Sequence, residues 1–391
     1  MNQATNDFIE RFKDEKSFSL ALKAKSFPDV DMRFALRQIE GMRIAKEKLP
    51  TWFAYPLLYP EHLPLEQCSS EMTARYKAEL VSGTVLLDLT GGFGVDCFFL
   101  SEKFHHTIYV ERNSDLCELS RENFKTLGAS VEVVCDNAIH FLQTRKPKVD
   151  VIFIDPARRN SNGGKVVSLK DCEPDLSEIM PLLFDASATI MVKLSPMLDV
   201  ISVLRMMRAV KEVHIIAVDN ECKELLLIFQ KGCESEPVLH CVNITKRGRE
   251  SFVFRPSEEQ NTDYEVAQKL GNYLYEPNVT ILKAGAFKLM SHCFHLYKLH
   301  ANSHLYTSDI FVTEFPGRKF EIVRQFGFSK QHLAELHQIV SGKCNLTVRN
   351  FPVSVADLRK KLHLKEGGEF YLFATIINKE KVLILCRKSG A

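Results

Sequence analysis

The residues best suited to chemistry lie in one glycine-rich turn, Asp88-Leu-Thr-Gly-Gly-Phe-Gly94. The turn follows a short apolar segment, TVLLDLT, and precedes a helical pattern, VDCFFLSEKF. Gly91, Gly92 and Gly94 would let the backbone approach a ligand that a Cβ atom would exclude. Asp88, at the end of the predicted strand, can accept a hydrogen bond from the ammonium of a bound amino acid. Such a turn by itself is compatible with several nucleotide-type ligands.

Further acidic residues end the next predicted strands. Glu111 closes IYVE at the distance from Asp88 where an acidic residue grips a ribose diol. Asp136 follows VEVV, where it suits an adenine amino group, and Asp155 follows VDVIFI. The carboxyl ends of parallel strands share one edge of a sheet, so we expect these carboxylates to line one crevice. An NAD-dependent enzyme remains an alternative, although TGGFGVD lacks the GxGxxG spacing.

The elements that must hold these residues read as an α/β fold. Near-continuous apolar strands alternate with helices, as in a parallel sheet covered on both faces. Only DNECK separates VHIIAV from ELLLIF, which is too short for a helical crossover, so these two strands should pair antiparallel. The prediction is a Rossmann-like parallel sheet with an antiparallel last strand.

The chain of 391 residues is long enough for two to four domains. We predict a helical N-terminal domain (1–78), with Ser69 or Ser70 capping SSEMTARYKAEL, and a catalytic domain (79–256). A small segment (263–316) should hold a helix in TDYEVAQKLGNYLY and a strand in IFVTEF. An α+β domain (317–391) completes the prediction.

Composition narrows the class of protein. No apolar run reaches the roughly 18 residues of a membrane span, and the charged start lacks an apolar signal core, so a cytoplasmic protein without membrane contact is expected. The 11 cysteines are scattered without a CxxC pair, which predicts reduced thiols and no metal site.

Charge is unevenly distributed. From Gly317 onward the chain holds 14 Lys and Arg against 6 Asp and Glu, while the whole chain carries a net charge of only +2. Basic side chains at Arg318, Lys319, Arg349, 359–361 and Lys365 are interleaved with Phe351, Phe370 and Tyr371. This pattern predicts contact with a polyanion; a solvated basic surface is the alternative.

With these motifs in line, the chain resembles class I methyltransferases, and specifically the bacterial group with a C-terminal THUMP-like domain. The likeness is carried by LEQCSSEMTARYKAEL, DLTGGFGVD, FIDPARR, NECKELLL, FPGRKFEIV, VRNFP and LRKKLHLKEGGEFYLFAT. It implies S-adenosylmethionine as methyl donor and RNA, either tRNA or rRNA, as substrate. It also implies a donor site formed by Gln67, Ser69, Asp88, Thr90, Gly91, Gly92, Gly94, Glu111, Asp136 and Asp155, with Gln67 and Ser69 at the donor's carboxylate end.

The segment DPARR is the catalytic candidate. Enzymes that methylate exocyclic amines of bases use an Asp/Asn-Pro-Pro-aromatic loop. Asp155 and Pro156 match it, whereas Ala157 replaces its second proline. Arg158 stands at the aromatic position, where a guanidinium can stack on a base. DPAR also resembles uracil-C5 methyltransferases, but Leu194 and Ser195 occupy the place of their cysteine nucleophile, which disfavours that chemistry.

Other interpretations stay open. Lys193 could contact a phosphate or be a solvated lysine. Glu221, Lys223 and Glu224 could line the site or belong to a charged hairpin turn. A methyltransferase of a protein or small metabolite is one alternative function, and a catalytically silent RNA-binding protein is another.

Overall fold

The computed structural model describes residues 2–158 and 172–389, except for the side chain of Arg158. Contacts divide the chain into two compact units, residues 1–213 with 224–235 and residues 214–223 with 236–391. The predicted helical segment (1–78) therefore belongs to the same unit as most of the predicted catalytic segment (79–256).

The first unit begins with helices. They are α1 (Gln3–Phe12), α2 (Ser17–Ala21), a 3-10 turn (Ala24–Ser26), α3 (Met32–Lys48), α4 (Pro50–Phe53), α5 (His62–Gln67) and α6 (Glu71–Ala78). Of the two predicted caps for α6, Ser70 is the one used, since its side chain accepts a hydrogen bond from the backbone of Thr73. Pro50 is the first residue of α4, where its missing N–H costs nothing.

A mostly parallel sheet follows in this unit. Its strands are β1 (Gly83–Asp88), β2 (Phe104–Glu111), β3 (Val131–Cys135), β4 (Val151–Ile154), β7 (Thr189–Leu194), β8 (Val210–Val218, which continues into the second unit) and β9 (Glu221–Gln230). Their order is β8-β9-β7-β4-β1-β2-β3. Strands β3, β2, β1, β4 and β7 run parallel, and β9 pairs antiparallel with β7. The predicted class I methyltransferase sheet is confirmed.

Helices connect these strands and cover the sheet. They are α7 (Val95–Ser101), α8 (Ser114–Thr126), α9 (Ala138–Arg145), α10 (Leu176–Ala186) and α11 (Val200–Met206). A short pair, β5 (Ala157–Arg158) with β6 (Cys172–Glu173), lies beside the carboxyl end of β4. All four residues of β4 are buried, as expected for a central strand covered on both faces.

The second unit contains β10 (Val238–Thr245) and β11 (Gly248–Phe254), paired antiparallel, and a seven-stranded sheet of order β13-β14-β12-β15-β18-β17-β16. The strands of that sheet are β12 (Tyr273–Pro277), β13 (Tyr297–Lys298), β14 (Tyr306–Ser308), β15 (Gly317–Phe326), β16 (Asn345–Val348), β17 (Phe370–Ile377) and β18 (Glu380–Lys388). The helices are α12 (Pro256–Asn261), α13 (Val279–Ala284), α14 (Phe287–Phe294), α15 (Lys330–Val340) and α16 (Val355–Lys361).

Two local predictions in this unit were wrong. The helix predicted over 262–275 does not form, because Leu274 and Tyr275 are buried in β12 between β14 and β15. IFVTEF forms no strand: Ile310 is 77% exposed and its carbonyl accepts a hydrogen bond from the Tyr275 hydroxyl. In the first segment, strand pairing with distant parts of the chain overrode the local preference for a helix.

Among the described helices, none has the length and apolarity needed to cross a bilayer.

Candidate active site

The glycine turn joins β1 to α7 at the carboxyl edge of the parallel strands. Gly94, the N-cap of α7, has φ +85°, and Gly92 has φ +55°, both in the left-handed region that favours glycine. A Cβ atom on Gly91 would lie 2.0 Å from the Tyr109 ring, and one on Gly94 would lie 2.8 Å from the Phe124 ring. These two glycines are therefore required by internal packing.

Gly92 differs from the other two glycines. A Cβ atom there would meet nothing nearer than the Thr90 carbonyl, 3.8 Å away. The open side of the turn is thus at Gly92, and this is where the backbone can face a ligand. The sequence predicted one role for all three glycines, whereas the structure separates two packing positions from one open position.

Asp88 lies buried beneath the turn. Its Oδ1 accepts a hydrogen bond from the Thr90 amide at 3.0 Å. Burial raises the pKa of the Asp88 carboxyl well above its usual range, and the nearby carboxylates of Asp96 and Asp155 act in the same direction. A cation placed beside Asp88 would favour the ionised form, so the site is suited to an ammonium ligand.

Glu111, at the end of β2, is fastened to the glycine turn. One carboxylate oxygen accepts from the Gly92 amide at 3.0 Å, and the other accepts from the Asn113 amide at 2.9 Å. Each oxygen still has a lone pair, because a carboxylate can accept about four hydrogen bonds. Glu111 can therefore hold the open turn in shape and accept from a diol as well.

Asp136 has a partner that the sequence reading missed. Both of its carboxylate oxygens lie within hydrogen-bond distance of His140 Nδ1, at 2.8 and 3.0 Å. His140 lies one turn further along the chain on α9, and the four-residue spacing was the available signal. Asp136 is partly buried, and its amide donates to the Glu111 carbonyl, which ties the two strand ends together.

Asp155 follows β4 and reaches the same edge. Its amide donates to Thr90 Oγ1 at 2.6 Å, which links the end of β4 to the glycine turn. Its carboxylate accepts from Lys193 Nζ, at the end of β7, at 2.5 Å, while the side chain remains 37% exposed. Pro156 is buried. The side chain of Arg158 and all of Arg159 lie outside the described residues, so the predicted stacking role stays a prediction.

A buried charge network lies behind Asp155. Lys193 Nζ is 3.4 Å from Asp96 Oδ2, and Lys77 Nζ is 3.0 Å from Asp96 Oδ1. Lys77 also donates to Glu224 at 2.6 Å and to the Ser69 hydroxyl at 2.9 Å, and that hydroxyl donates to Asp96 at 2.7 Å. We call these five residues, Ser69, Lys77, Asp96, Lys193 and Glu224, the lysine–carboxylate network.

The network bears on the predictions made for two residues, Lys193 and Glu224. Lys193 is a buried lysine that pairs with Asp155, so the solvated-lysine interpretation was wrong, while the phosphate contact stays a prediction. Glu224 is buried and paired with Lys77 instead of belonging to a solvated turn. Ser69 is buried, with its hydroxyl hydrogen-bonded inside the network. Gln67 is exposed at the end of α5.

Charges in the network stabilise each other. Burial raises the pKa of the Asp96 carboxyl, but the ammonium groups of Lys77 and Lys193 outweigh that effect and lower it. Burial disfavours the charged form of Lys193, yet the carboxylates of Asp155, Asp96 and Glu224 hold its pKa well above the usual value. Lys193 is therefore a cation at neutral pH, at the edge of the site.

The helical start of the chain supports the turn through an aromatic contact. Trp52, the only tryptophan, is fully buried in α4, and its ring lies 5.0 Å from the Phe93 ring in the glycine turn and 5.7 Å from the Phe98 ring in α7. The edge-to-face geometry is a favourable aromatic arrangement. Helix α4, one of the N-terminal helices, thereby packs against the glycine turn and supports it.

In the second unit, several predicted RNA-binding side chains have internal partners. Buried Glu276 in β12 receives hydrogen bonds from Arg318 of β15 and, at 2.8 Å, from Arg349. Phe370 is buried and Arg359 pairs with Glu366.

Other members of that predicted surface stay accessible. Lys360, Lys361 and Lys365 are exposed. Phe351 is partly buried and stacks on Phe328 at 5.5 Å, with Lys361 Nζ 5.8 Å from the Phe328 ring. We call Phe328, Phe351, Lys360, Lys361 and Lys365 the lysine–phenylalanine patch.

Comparisons with known proteins decide the family. A crystal structure of a putative methyltransferase from Porphyromonas gingivalis W83 is 33% identical to this chain, with a TM-score of 0.88 over 99% of this chain and 98% of that one. The chain belongs to this methyltransferase family. Its residues 273–316 match the model of a ferredoxin-like domain, and residues 317–388 match a THUMP domain-like model.

Curated relatives agree with this assignment. Two proteins from Mycobacterium tuberculosis strains, each described as an uncharacterized S-adenosylmethionine-dependent methyltransferase, are 23% identical over 302 residues, which is 77% of this chain and 80% of theirs. S-adenosylmethionine is the methyl donor of this methyltransferase. The residues present fit that donor: Gly92 opens the turn, Asp88 suits its ammonium, and the carboxylate of Glu111 can accept from its ribose.

Proposed function

We propose that this methyltransferase methylates an exocyclic amine of a base in structured RNA, either tRNA or rRNA, in the cytoplasm. The observation that carries the proposal is Asp155, a partly exposed carboxylate at the donor edge with one oxygen already held by Lys193. The THUMP domain-like match at 317–388 and the exposed lysines of the lysine–phenylalanine patch support an RNA substrate.

Methyl transfer depends mainly on how the acceptor amine and the methyl donor are positioned. When bound, S-adenosylmethionine supplies an electrophilic methyl group on a sulfonium. Asp155 would accept a hydrogen bond from the acceptor amine and so direct the nitrogen lone pair at that methyl group, in a site where orientation supplies much of the rate. The residues of the glycine turn and Glu111 would hold the donor against this geometry, with Arg158 available to stack on the base.

The transfer balances without a redox partner. The acceptor nitrogen would form the new N–C bond with its lone pair, and the electron pair of the S–C bond would leave with the donor. The nitrogen then gives up one proton to the Asp155 carboxylate, from which solvent removes it. Its 37% exposure allows that last exchange.

The charge of the site favours a neutral acceptor. Because Asp155 is already paired with an ammonium, it offers a hydrogen-bond acceptor without a strong attraction for cations. The amine of a nucleobase is neutral, whereas a lysine side chain of a protein arrives charged. This property supports a base over a protein amine.

The test is methyl transfer to fractionated cell extract. The purified enzyme and isotopically labelled S-adenosylmethionine would be added to RNA, protein and small-molecule fractions from cells that lack the gene. Label should enter RNA, and mass spectrometry of digested RNA should show one N-methylated nucleoside that is missing without the gene. Label that enters only the protein or metabolite fraction would replace this proposal with those alternatives.

A further inference from the structure

The ion pair between Lys193 and Asp155 assigns a role to a buried lysine. We propose that Lys193 is a positioning residue for methyl transfer, whose ammonium holds the Asp155 carboxylate in the orientation that receives the acceptor amine. The proposal rests on the proposed function, since it concerns the same acceptor site. Lys193 itself need not touch the substrate, because it acts through the 2.5 Å contact to Asp155.

Lys193 is unusually well fixed for a lysine. Only 11% of its side chain is exposed, and it extends from the end of β7, the strand next to β4. A lysine on the surface loses rotamer entropy on being fixed, but here burial has already fixed the side chain. Lys193 can therefore hold Asp155 with little further loss of freedom.

The rest of the lysine–carboxylate network holds Lys193 in place. Asp96, buried at the start of α7, faces both lysines, and Lys77 and the Ser69 hydroxyl hold its two oxygens. Lys77 is anchored in turn by Glu224 of β9. Residues of α6, α7 and β9 thus hold Lys193 of β7, which alone in the network contacts an oxygen of Asp155.

Lys193 could in principle accept the proton from the amine or hold Asp155 in place, and its charge distinguishes these two roles. An ammonium whose pKa is held well above its usual value by three carboxylates stays charged, so it cannot accept the proton that leaves the amine. Its remaining function is to fix and neutralise Asp155. The other carboxylate oxygen of Asp155 is then the one that faces the acceptor, and the proton leaves by that route.

A double-mutant cycle on stability tests the ion pair without any substrate. Lys193→Met, Asp155→Asn and the double variant would be unfolded in urea and followed by the fluorescence of Trp52, which lies in the same compact unit. We expect strongly non-additive shifts of the urea midpoint, because each single change removes the same contact. Lys77→Met is the matched comparison: it removes a buried ammonium that reaches Asp155 only through Asp96 and Lys193, so its coupling to Asp155→Asn should be clearly weaker than that of Lys193→Met.

A second cycle measures function, with RNA from cells lacking the gene as acceptor. Lys193→Met should slow methyl transfer by about 100-fold, as expected when a reacting group is misplaced, with donor affinity by calorimetry changed by less than about twofold. Lys193→Arg, which keeps the charge, should recover part of the rate. In the Asp155→Asn background, Lys193→Met should cost nothing further.

The two failures are distinguishable. Additive midpoint shifts for Lys193→Met and Asp155→Asn overturn the role of Lys193, whatever the acceptor is. A full further loss of rate from Lys193→Met in the Asp155→Asn background overturns it as well. Absence of label in RNA with the unchanged enzyme overturns the proposed function instead, and the unfolding cycle still decides whether Lys193 holds Asp155.

Discussion

Different residues at the carboxyl edge of the sheet serve the methyl donor and the acceptor. Asp88 and Glu111 belong to the glycine turn, through the hydrogen bonds that link them to Thr90 and Gly92. Asp155 donates its amide to Thr90 of the turn, and its carboxylate is held by Lys193. The two halves can therefore be disabled separately.

The first prediction concerns Asp155. Asp155→Ala keeps the amide bond to Thr90 but removes the carboxylate, so methyl transfer should fall by about 100-fold or more. Donor affinity, measured by calorimetry with S-adenosylhomocysteine, should change by less than about threefold. If affinity and turnover fell in proportion, Asp155 would be a donor contact and the assignment of the acceptor site would fail.

The second prediction concerns pH and Asp88. Because burial raises the pKa of Asp88, the carboxyl is protonated at low pH and loses its attraction for the donor's ammonium. Affinity for S-adenosylhomocysteine should therefore rise with pH through that pKa, by up to about tenfold per pH unit. Asp88→Asn is the control, since it has no proton to lose; an equally steep pH dependence in this variant would assign the effect to another group.

At the scale of elements, the glycine turn gives the third prediction. Gly91→Ala places a Cβ atom against the Tyr109 ring and should lower the free energy of unfolding by about 1–3 kcal/mol. Gly92→Ala has free space and should cost only about 1–2 kcal/mol for its positive φ, while it weakens donor binding at the open side of the turn. Urea unfolding and calorimetry separate the two effects, and equal donor affinity in Gly92→Ala would show that the ligand passes elsewhere.

The elements that sequence predicted best are those with strong apolar periodicity. The strands that end at Asp88 and Glu111, and the strand that ends just before Asp155, were all expected, because buried parallel strands have a characteristic apolar composition. The candidate carboxylates followed from the edge rule for such sheets. Local patterns failed over 262–275, where burial of Leu274 and Tyr275 depends on strands distant in sequence.

The lysine–carboxylate network could not have been predicted in the same way. Lys77 lies in α6 among other charged residues, and nothing in RYKAEL distinguishes it from a solvated helix lysine. Its partners Asp96 and Glu224 are 19 and 147 positions away along the chain. Charge pairing over such distances is a property of the fold and leaves no periodic signal.

At the scale of the whole molecule, the fourth prediction concerns RNA affinity. Reversing two exposed charges, Lys360→Glu with Lys361→Glu, should weaken RNA binding and make its logarithmic salt dependence shallower by about 1–2. Donor affinity should not change. The matched control reverses Lys103 and Lys125, exposed lysines remote from the carboxyl edge of the sheet. Equal loss of RNA affinity in both double variants would mean that the patch has no special role.

One feature of the second unit bears on how such proteins can be recombined. The limit between the ferredoxin-like and THUMP domain-like matches falls between residues 316 and 317, yet Glu276 is both the strand partner of Arg318 and the buried carboxylate that neutralises Arg318 and Arg349. A chimera joined at that limit would take the acid from one parent and the residues at 318 and 349 from the other, so the buried ion pairs would form only if the second parent carries bases there. The ferredoxin-like and THUMP domain-like segments therefore form one exchangeable unit. A swap between relatives should preserve function only when both segments are transplanted together.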